Sequence, residues 1–218
     1  MTSILSRFID STAKRPQGKW ARQYYGEPKS HMKAFAQTME ALAPRPDDAH
    51  LEIGCGGGYF LGMIQPKVAR VAAIDHSPEM VEVARRANHD AVAAGLAEIV
   101  QGDAERLPWP DDSFTCSANT SMWFFLEHPE RVLAELRRVL KPGGRLVITT
   151  IRRSWFNRLV WALYGLRLYS NRQMARMLGD SGFCEIEVVS KGLMGQIVTA
   201  RKPAASVQGQ DKANHARP

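Results

Sequence analysis

The sequence predicts an α/β fold in which a mostly parallel sheet is covered by helices on both faces. Short apolar runs suited to buried strands alternate with stretches whose apolar residues recur at helical spacing, which is the pattern of successive βαβ units. Proline and glycine separate these runs, as in Lys141-Pro142-Gly143-Gly144, where one helix should stop and the chain turn tightly into a strand. The chain has 218 residues, 44% of them hydrophobic, so one domain with a full-sized core is feasible.

The predicted elements follow the alternation in order. Each predicted strand is a short apolar run, and the first two lead directly into helical patterns. The last two strands are joined by a glycine-containing turn, and beyond them residues 203–218 have almost nothing to bury, which predicts a disordered tail. The predicted strands are Ala49–Ile53, Val68–Ile74, Ala97–Val100, Thr115–Ala118, Arg145–Ile151, Cys184–Lys191 and Gln196–Ala200. One predicted helix starts at Tyr59, and the other three span Pro78–Ala94, Glu130–Leu140 and Asn171–Ser181.

The net charge of +7 is unevenly distributed along the chain. Residues 47–150 carry 10 basic and 15 acidic side chains, a net charge of −5, whereas residues 1–46 have a net charge of +5. Residues 151–178 add 6 Arg and no acidic residue. A basic excess suits a nucleic acid, an anionic membrane surface or an acidic ligand, and its total does not choose among them.

Cysteine usage and hydropathy predict a cytosolic protein. The three cysteines, Cys55, Cys116 and Cys184, are widely spaced and form no CxxC pair, so we expect free thiols and no metal site. No apolar run approaches the roughly 18 residues of a membrane-spanning helix. The N-terminus also lacks the apolar stretch of a signal peptide.

A glycine-rich loop follows the first predicted strand, in the stretch Glu52-Ile53-Gly54-Cys55-Gly56-Gly57-Gly58. Glycine permits positive φ and a close approach of the backbone to a ligand, and the following helix offers unpaired N–H donors. The loop is not a dinucleotide fingerprint, because Tyr59 stands where the third glycine of GxGxxG should be, and no Lys-Ser or Lys-Thr makes it a P-loop. The Glu52 carboxylate would repel a pyrophosphate, so the loop favours a cationic or zwitterionic ligand.

Two further acidic residues follow the next two strands. Asp75 is placed to accept hydrogen bonds from both ribose hydroxyls of a nucleoside that lies across the strand ends. His76 and Met80 could flank its adenine, and Asp103 could accept a hydrogen bond from the exocyclic amine. Three strand ends are thus predicted to converge on one adenosine.

Taken together, these motifs resemble the class I S-adenosylmethionine-dependent methyltransferases, in particular the small-molecule branch that includes the ubiquinone/menaquinone C-methyltransferases. The resemblance runs from about Trp20 to Lys202 and implies a Rossmann-like sheet of seven strands, mostly parallel, with the last strand antiparallel. It also implies S-adenosylmethionine as cofactor, with Glu52 near its ammonium group, the glycines along its amino-acid part and Asn119 near its sulfonium. The predicted cofactor-binding residues are Glu52, Gly54, Cys55, Gly56, Gly58, Asp75, His76, Met80, Asp103, Ala104 and Asn119.

The sequence departs from the family pattern after the fourth strand. The stretch that begins at Asn119 lacks the Asn/Asp-Pro-Pro-Tyr/Phe signature of nucleic-acid and protein amide N-methyltransferases, so a nucleic-acid substrate is not expected. Phe124-Phe125 stands where many small-molecule relatives have a pair of histidines. No general base is therefore assigned; the candidates are His128, Tyr24, Tyr25 and His31, and His128 could instead cap the helix that follows it.

The predicted function is methyl transfer to a small, largely apolar or aromatic acceptor, in which the accepting atom can be O, N or C. In such relatives, segments before the first strand and after the fifth cover the acceptor, which divides the chain into a helical lid (1–46), a cofactor-binding domain (47–202) and an inserted lid (152–170). The predicted acceptor pocket comprises Trp20, Tyr24, Trp123 and Phe124.

Three alternatives remain open at this stage. The Arg- and aromatic-rich segment 152–169 could lie on an anionic membrane, as in a quinone or lipid methyltransferase. It could equally pack its apolar face on the domain and leave the arginines solvated. The chain could also bind the cofactor without catalysis, and its oligomeric state is not predicted.

Overall fold

The computed structural model of the protein describes residues 31–155, 157 and 166–204. Trp20, Tyr24 and Tyr25, residues 156 and 158–165 of the inserted lid, and nearly all of the predicted tail therefore lie outside the described residues. In the described part, seven strands form one sheet with the spatial order β3-β2-β1-β4-β5-β7-β6. The strands are β1 (Ala49–Ile53), β2 (Arg70–Asp75), β3 (Ala97–Gln101), β4 (Phe114–Thr120), β5 (Leu140–Ile151), β6 (Cys184–Lys191) and β7 (Gly195–Arg201).

Helices cover both faces of this sheet, as the sequence predicts. Leu133 and Met174 pack against one face, from the fifth and sixth described α-helices. Phe35, Phe60 and Val81 pack against the other face, from the first three. The helices are α1 (Met32–Leu42), α2 (Tyr59–Ile64), α3 (Pro78–Ala87), α4 (His89–Ala93), α5 (Pro129–Val139) and α6 (Asn171–Asp180), with 3₁₀ turns at Gln65–Lys67 and Trp123–Phe125.

The strand directions agree with the predicted topology. Strands β1 to β5 pair in parallel, whereas β7 runs antiparallel to both β5 and β6. The chain moves outward from β1 to β3 and then returns to place β4 on the other side of β1. Ligands of open α/β sheets bind at such a reversal, outside the carboxyl ends of the strands.

Two predicted elements differ in the structure because of contacts distant in sequence. The helix predicted over Pro78–Ala94 is divided at Asn88, whose Nδ2 donates to the carbonyls of Gly58 (3.0 Å) and Ala84 (2.9 Å). The segment from Lys141 to Gly144 was expected to be a tight turn before the fifth strand, but it belongs to β5. There the N–H of Gly143 donates to the carbonyl of Lys202 at 2.9 Å, which holds the segment against the chain after β7.

Helix α1 runs antiparallel to β5. The Thr38 and Thr149 hydroxyls form a buried hydrogen bond of 2.6 Å. Nearer the amino end of β5, Arg145 Nε donates to the carbonyl of Leu42 at 3.2 Å. The start of α1 therefore lies toward the carboxyl end of the sheet.

Candidate functional site

The glycine-rich loop joins the carboxyl end of β1 to α2. Gly54, Gly56 and Gly58 have φ angles of +71°, +50° and +75°, a left-handed region in which other residues are strained. The N–H of Gly54 donates to the carbonyl of Ile74 at 2.8 Å. The loop is therefore fixed to the neighbouring strand β2 through its backbone.

Close packing also requires glycine at two of these positions. A Cβ at Gly58 would lie 2.9 Å from the Cα of Ala84 on α3, and a Cβ at Gly54 would lie 2.8 Å from Cγ of Met122. Both distances are shorter than real Cβ contacts. The loop is thus held between α3 and the segment that follows β4.

Asp75, at the carboxyl end of β2, links this loop to the start of α3. Its Oδ2 accepts from the N–H of Gly56 at 2.8 Å, and its Oδ1 accepts from the N–H of Ser77 at 2.9 Å. The residue is only 7% exposed. Asp75 therefore fixes two backbone segments and keeps a buried negative charge beside the loop.

The residues predicted to flank an adenine lie next to Asp75. His76 has a half-exposed side chain, and its Nδ1 is 3.4 Å from Asp75 Oδ1. Met80 is 1% exposed on α3, where its N–H donates to the Ser77 hydroxyl at 3.4 Å. His76 is thus open to a ligand from solvent, whereas Met80 belongs largely to the packed interior.

The end of β3 brings a third acidic residue to the same edge. Asp103 is exposed, and its Oδ1 accepts from the N–H of Glu105 at 2.9 Å, while Ala104 is half-buried. The preceding Gly102 donates its N–H to the carbonyl of Asp75 at 3.0 Å. Asp75 and Asp103 therefore stand at the ends of adjacent, directly connected strands.

Two buried oxygen atoms at the ends of β1 and β4 have no hydrogen-bond partner among the described residues. They are Oε2 of Glu52 and Oδ1 of Asn119. Glu52 is 1% exposed and Asn119 is fully buried, with its Nδ2 donating to the carbonyl of Ile53 at 2.8 Å. These two oxygens are among eight buried side-chain N or O atoms without a partner in the described structure. Their position at the carboxyl ends of neighbouring strands agrees with a ligand that donates hydrogen bonds there.

The ionisation of the buried groups agrees with a cationic ligand. Burial, and then the nearby Asp75 carboxylate, raise the pKa of Glu52 well above its ordinary value. A positive charge placed beside it would reverse this effect and favour the carboxylate. Burial also raises the pKa of the Cys55 thiol well above its ordinary value, so Cys55 is a packed thiol within the loop and not a thiolate nucleophile.

Of the residues predicted for the acceptor side, the structure describes Trp123, Phe124, His128 and His31. Trp123 is fully buried in the core, Phe124 is 8% exposed, and the ring of Phe124 meets that of Phe125 edge to face at 4.6 Å. His128 is exposed at the N-cap of α5, where its side chain makes no capping hydrogen bond. His31, whose pKa is lowered by burial, stacks on Phe35 with 6.0 Å between ring centroids.

Sequence reasoning missed four residues that shape the site. Ser77 caps α3 and could have been found from its position before Pro78. Asn88 and Met122 act through contacts with the glycine loop that no local pattern reveals. Ser121, directly after β4, has a φ of +57°, a strained conformation that often accompanies functional sites.

The described part of the chain contains neither a candidate metal-binding cluster nor a helix that could span a membrane. Residues 31–155, 157 and 166–204 contain no group of three or more His, Cys, Asp or Glu side chains that could hold a metal ion. Within the same residues, none of the helices combines the length and the apolar character needed to cross a bilayer.

Residues 51–148 match the family model described as a methyltransferase domain. The chain is 38% identical over 113 residues to the mitochondrial ubiquinone biosynthesis O-methyltransferase of Schizosaccharomyces pombe, covering 50% of this chain and 40% of that protein. It is 35% identical over 115 residues to a ubiquinone/menaquinone biosynthesis C-methyltransferase of Pseudomonas putida, covering 51% of this chain and 44% of that protein. The chain thus spans less than half the length of these two curated relatives.

The fold also matches solved structures. The geranyl diphosphate C-methyltransferase of Streptomyces coelicolor, solved with S-adenosyl-L-homocysteine, superposes with a TM-score of 0.69 at 16% identity and covers 91% of this chain and 97% of that one. At this level of identity the likeness establishes the fold.

Proposed function

We propose that the chain, whose residues 51–148 match a methyltransferase-domain model, is a class I S-adenosylmethionine-dependent methyltransferase that transfers a methyl group from S-adenosylmethionine to a small, largely apolar or aromatic acceptor. The observation that carries this proposal is the pair of buried, unpaired oxygens on Glu52 and Asn119 beside the glycine loop. A ligand that carries an ammonium group and an adenosine matches the chemistry of this edge of the sheet.

The cofactor would be held by residues from four strand ends. Glu52 would pair with its ammonium group, the backbone of the glycine loop would lie along its amino-acid part, and Asp75 would accept hydrogen bonds from its ribose. Asp103 and Ala104 would border the adenine, and Asn119 would lie near the sulfonium. When bound, S-adenosylmethionine supplies an electrophilic methyl group on a good leaving group.

The chain's own contribution to the reaction would be mainly positional. The three positive-φ glycines shape the loop, and the hydrogen bond from the Gly56 N–H to Asp75 fixes it to the end of β2. Holding two reactants in line accounts for much of the acceleration of a displacement reaction. A dedicated general base is then not required, and the roles of His128, His31, Tyr24 and Tyr25 stay predictions.

The acceptor side supports an apolar, anionic or membrane-associated substrate. Two of the curated relatives that match the chain are named for quinone biosynthesis, whereas another is a malonyl-[acyl-carrier protein] O-methyltransferase. The net charge of the flanks is positive, and that of the centre is negative. The start of α1 lies toward the carboxyl side of the sheet, which supports the prediction that the segment before it covers the acceptor. We also propose a cytosolic location for the protein and a substrate other than nucleic acid.

The alternative of a cofactor-binding module without catalysis stays a prediction, because the described residues do not distinguish it from methyl transfer. An assay of S-adenosylhomocysteine formation separates the two, using quinol, phenol, amine and prenyl diphosphate acceptors. Methyl transfer predicts product with at least one acceptor and its loss in Asp75→Ala, with Asp90→Ala as a control because Asp90 is exposed on α4. If the protein binds the cofactor tightly but forms no S-adenosylhomocysteine with any acceptor class, the cofactor-binding module without catalysis is supported instead.

A further inference from the structure

Three large apolar side chains are exposed together at the carboxyl edge of the sheet. Trp155, after β5, and Leu193, in the turn between β6 and β7, are each 80% exposed, and Met194 is 47% exposed. We name these three residues the apolar tip. Large apolar side chains grouped at the surface of a domain usually mark a contact with a partner or a membrane.

Hydrogen bonds fix the two parts of the apolar tip to each other. The carbonyl of Met194 accepts from the N–H of Arg152 at 2.7 Å and from Nδ2 of Asn157 at 3.2 Å. The same Nδ2 donates to the carbonyl of Arg152 at 2.6 Å. Residues on both sides of Trp155 are therefore bound to the β6–β7 turn, so the tip is a built feature and not an isolated loop.

The surroundings of the apolar tip are basic. Lys191 and Arg153 are exposed directly beside it, and the segment 151–178 that contains Trp155 has 6 Arg and no acidic residue. The acidic residues of β6 are Glu185 and Glu187, in its first half, and Glu185 is paired with Arg201 at 3.0 Å. Positive charge thus borders the apolar side chains on the side where the chain leaves β5.

We propose that the apolar tip and its basic neighbours dock on the surface of an anionic phospholipid bilayer. An exposed aromatic and aliphatic group bordered by Lys and Arg matches the chemistry of the bilayer interface, where apolar side chains enter the headgroup region and cations face anionic lipids. Because the tip and the cofactor site share the carboxyl edge, docking would direct this edge toward the membrane.

The docking proposal rests on the proposed function and adds a membrane as the partner of the same protein. Docking and methyl transfer depend on different residues, so either proposal can be refuted without the other. The test is co-sedimentation of the full chain with vesicles of mixed phosphatidylcholine and phosphatidylglycerol at low ionic strength. We expect the wild type to pellet, and the double variant Leu193→Ser/Met194→Ser to bind about tenfold less. Leu96→Ser is the matched control, since Leu96 is 41% exposed before β3, and it should bind like the wild type.

Two further arms identify the source of the binding. Pure phosphatidylcholine vesicles and high salt should both weaken it, because screening reduces attraction between surface charges. S-adenosylhomocysteine titration and the thermal midpoint of the double variant should match the wild type, which separates docking from the cofactor site and from misfolding. The proposal is overturned if the wild type stays in the supernatant, if the double variant pellets equally, or if the tip instead mediates a dimer in gel filtration.

Discussion

At the scale of single residues, Glu52 is the most informative side chain of the site. It lies in a strand whose five residues are all buried, and one carboxylate oxygen has no partner among the described residues. A carboxylate in this position costs free energy unless a cation accompanies it. The residue is therefore better explained by a ligand than by the stability of the domain.

The raised pKa of Glu52 predicts how the stability of the ligand-free protein depends on pH. The folded state keeps this carboxyl protonated at pH values where the unfolded chain has already lost the proton, so the associated stability is lost as pH rises above the ordinary value of 4.5. We expect the free energy of unfolding of the wild type, relative to that of Glu52→Gln, to fall with pH by at most about 1.4 kcal/mol per pH unit. Urea unfolding at several pH values measures it, and a difference independent of pH would refute the assignment.

At the scale of elements, the connection from β1 to α2 combines backbone conformation with packing. Gly58 has a φ of +75° and is packed against α3, whereas Gly95 has a φ of +70° with nothing within 4 Å of the position of a Cβ. Alanine variants at the two glycines therefore separate the free-energy cost of the left-handed backbone from that of the steric clash with α3.

Alanine substitution at these two positions should give different losses of stability. We expect Gly95→Ala to cost about 1 kcal/mol from the left-handed backbone alone. Gly58→Ala should cost about 2–4 kcal/mol, because Ala84 and Asn88 must also move. Chemical denaturation of both variants measures the difference, and equal losses would show that the contact between the loop and α3 is unimportant.

The element scale also shows where sequence reasoning succeeds and where it fails. The strand bounds of β1 and β6 agree with the prediction, since buried runs bounded by turn residues are local signals. The break at Asn88 depends on the carbonyl of Gly58, 30 residues earlier, and the place of Gly143 in the sheet depends on Lys202. Contacts of this kind cannot be predicted from local patterns.

At the scale of the whole molecule, the sheet topology brings distant motifs to one edge. Glu52, Asp75 and Asp103 are predicted from three strand ends, and Asn119 from the family resemblance. The order β3-β2-β1-β4 places the four strand ends side by side. One part of the apolar tip, Trp155, lies in the segment 152–169 whose composition already suggests a membrane contact. The exposure of Leu193 and Met194 appears only once β6 and β7 are paired. The net charge of +7 likewise becomes informative when it is resolved along the chain, because the centre is acidic and the flanks are basic.

The central claim is that this edge binds S-adenosylmethionine, and isothermal titration with S-adenosylhomocysteine tests it most directly. We expect the wild type and the surface control Asp90→Ala to bind with a dissociation constant in the micromolar range. Asp75→Ala should weaken binding by about 1–3 kcal/mol, roughly 5- to 150-fold, because a charged hydrogen-bond acceptor is lost. The absence of binding by a folded wild type, or binding by Asp75→Ala as tight as that of the wild type, would contradict the claim.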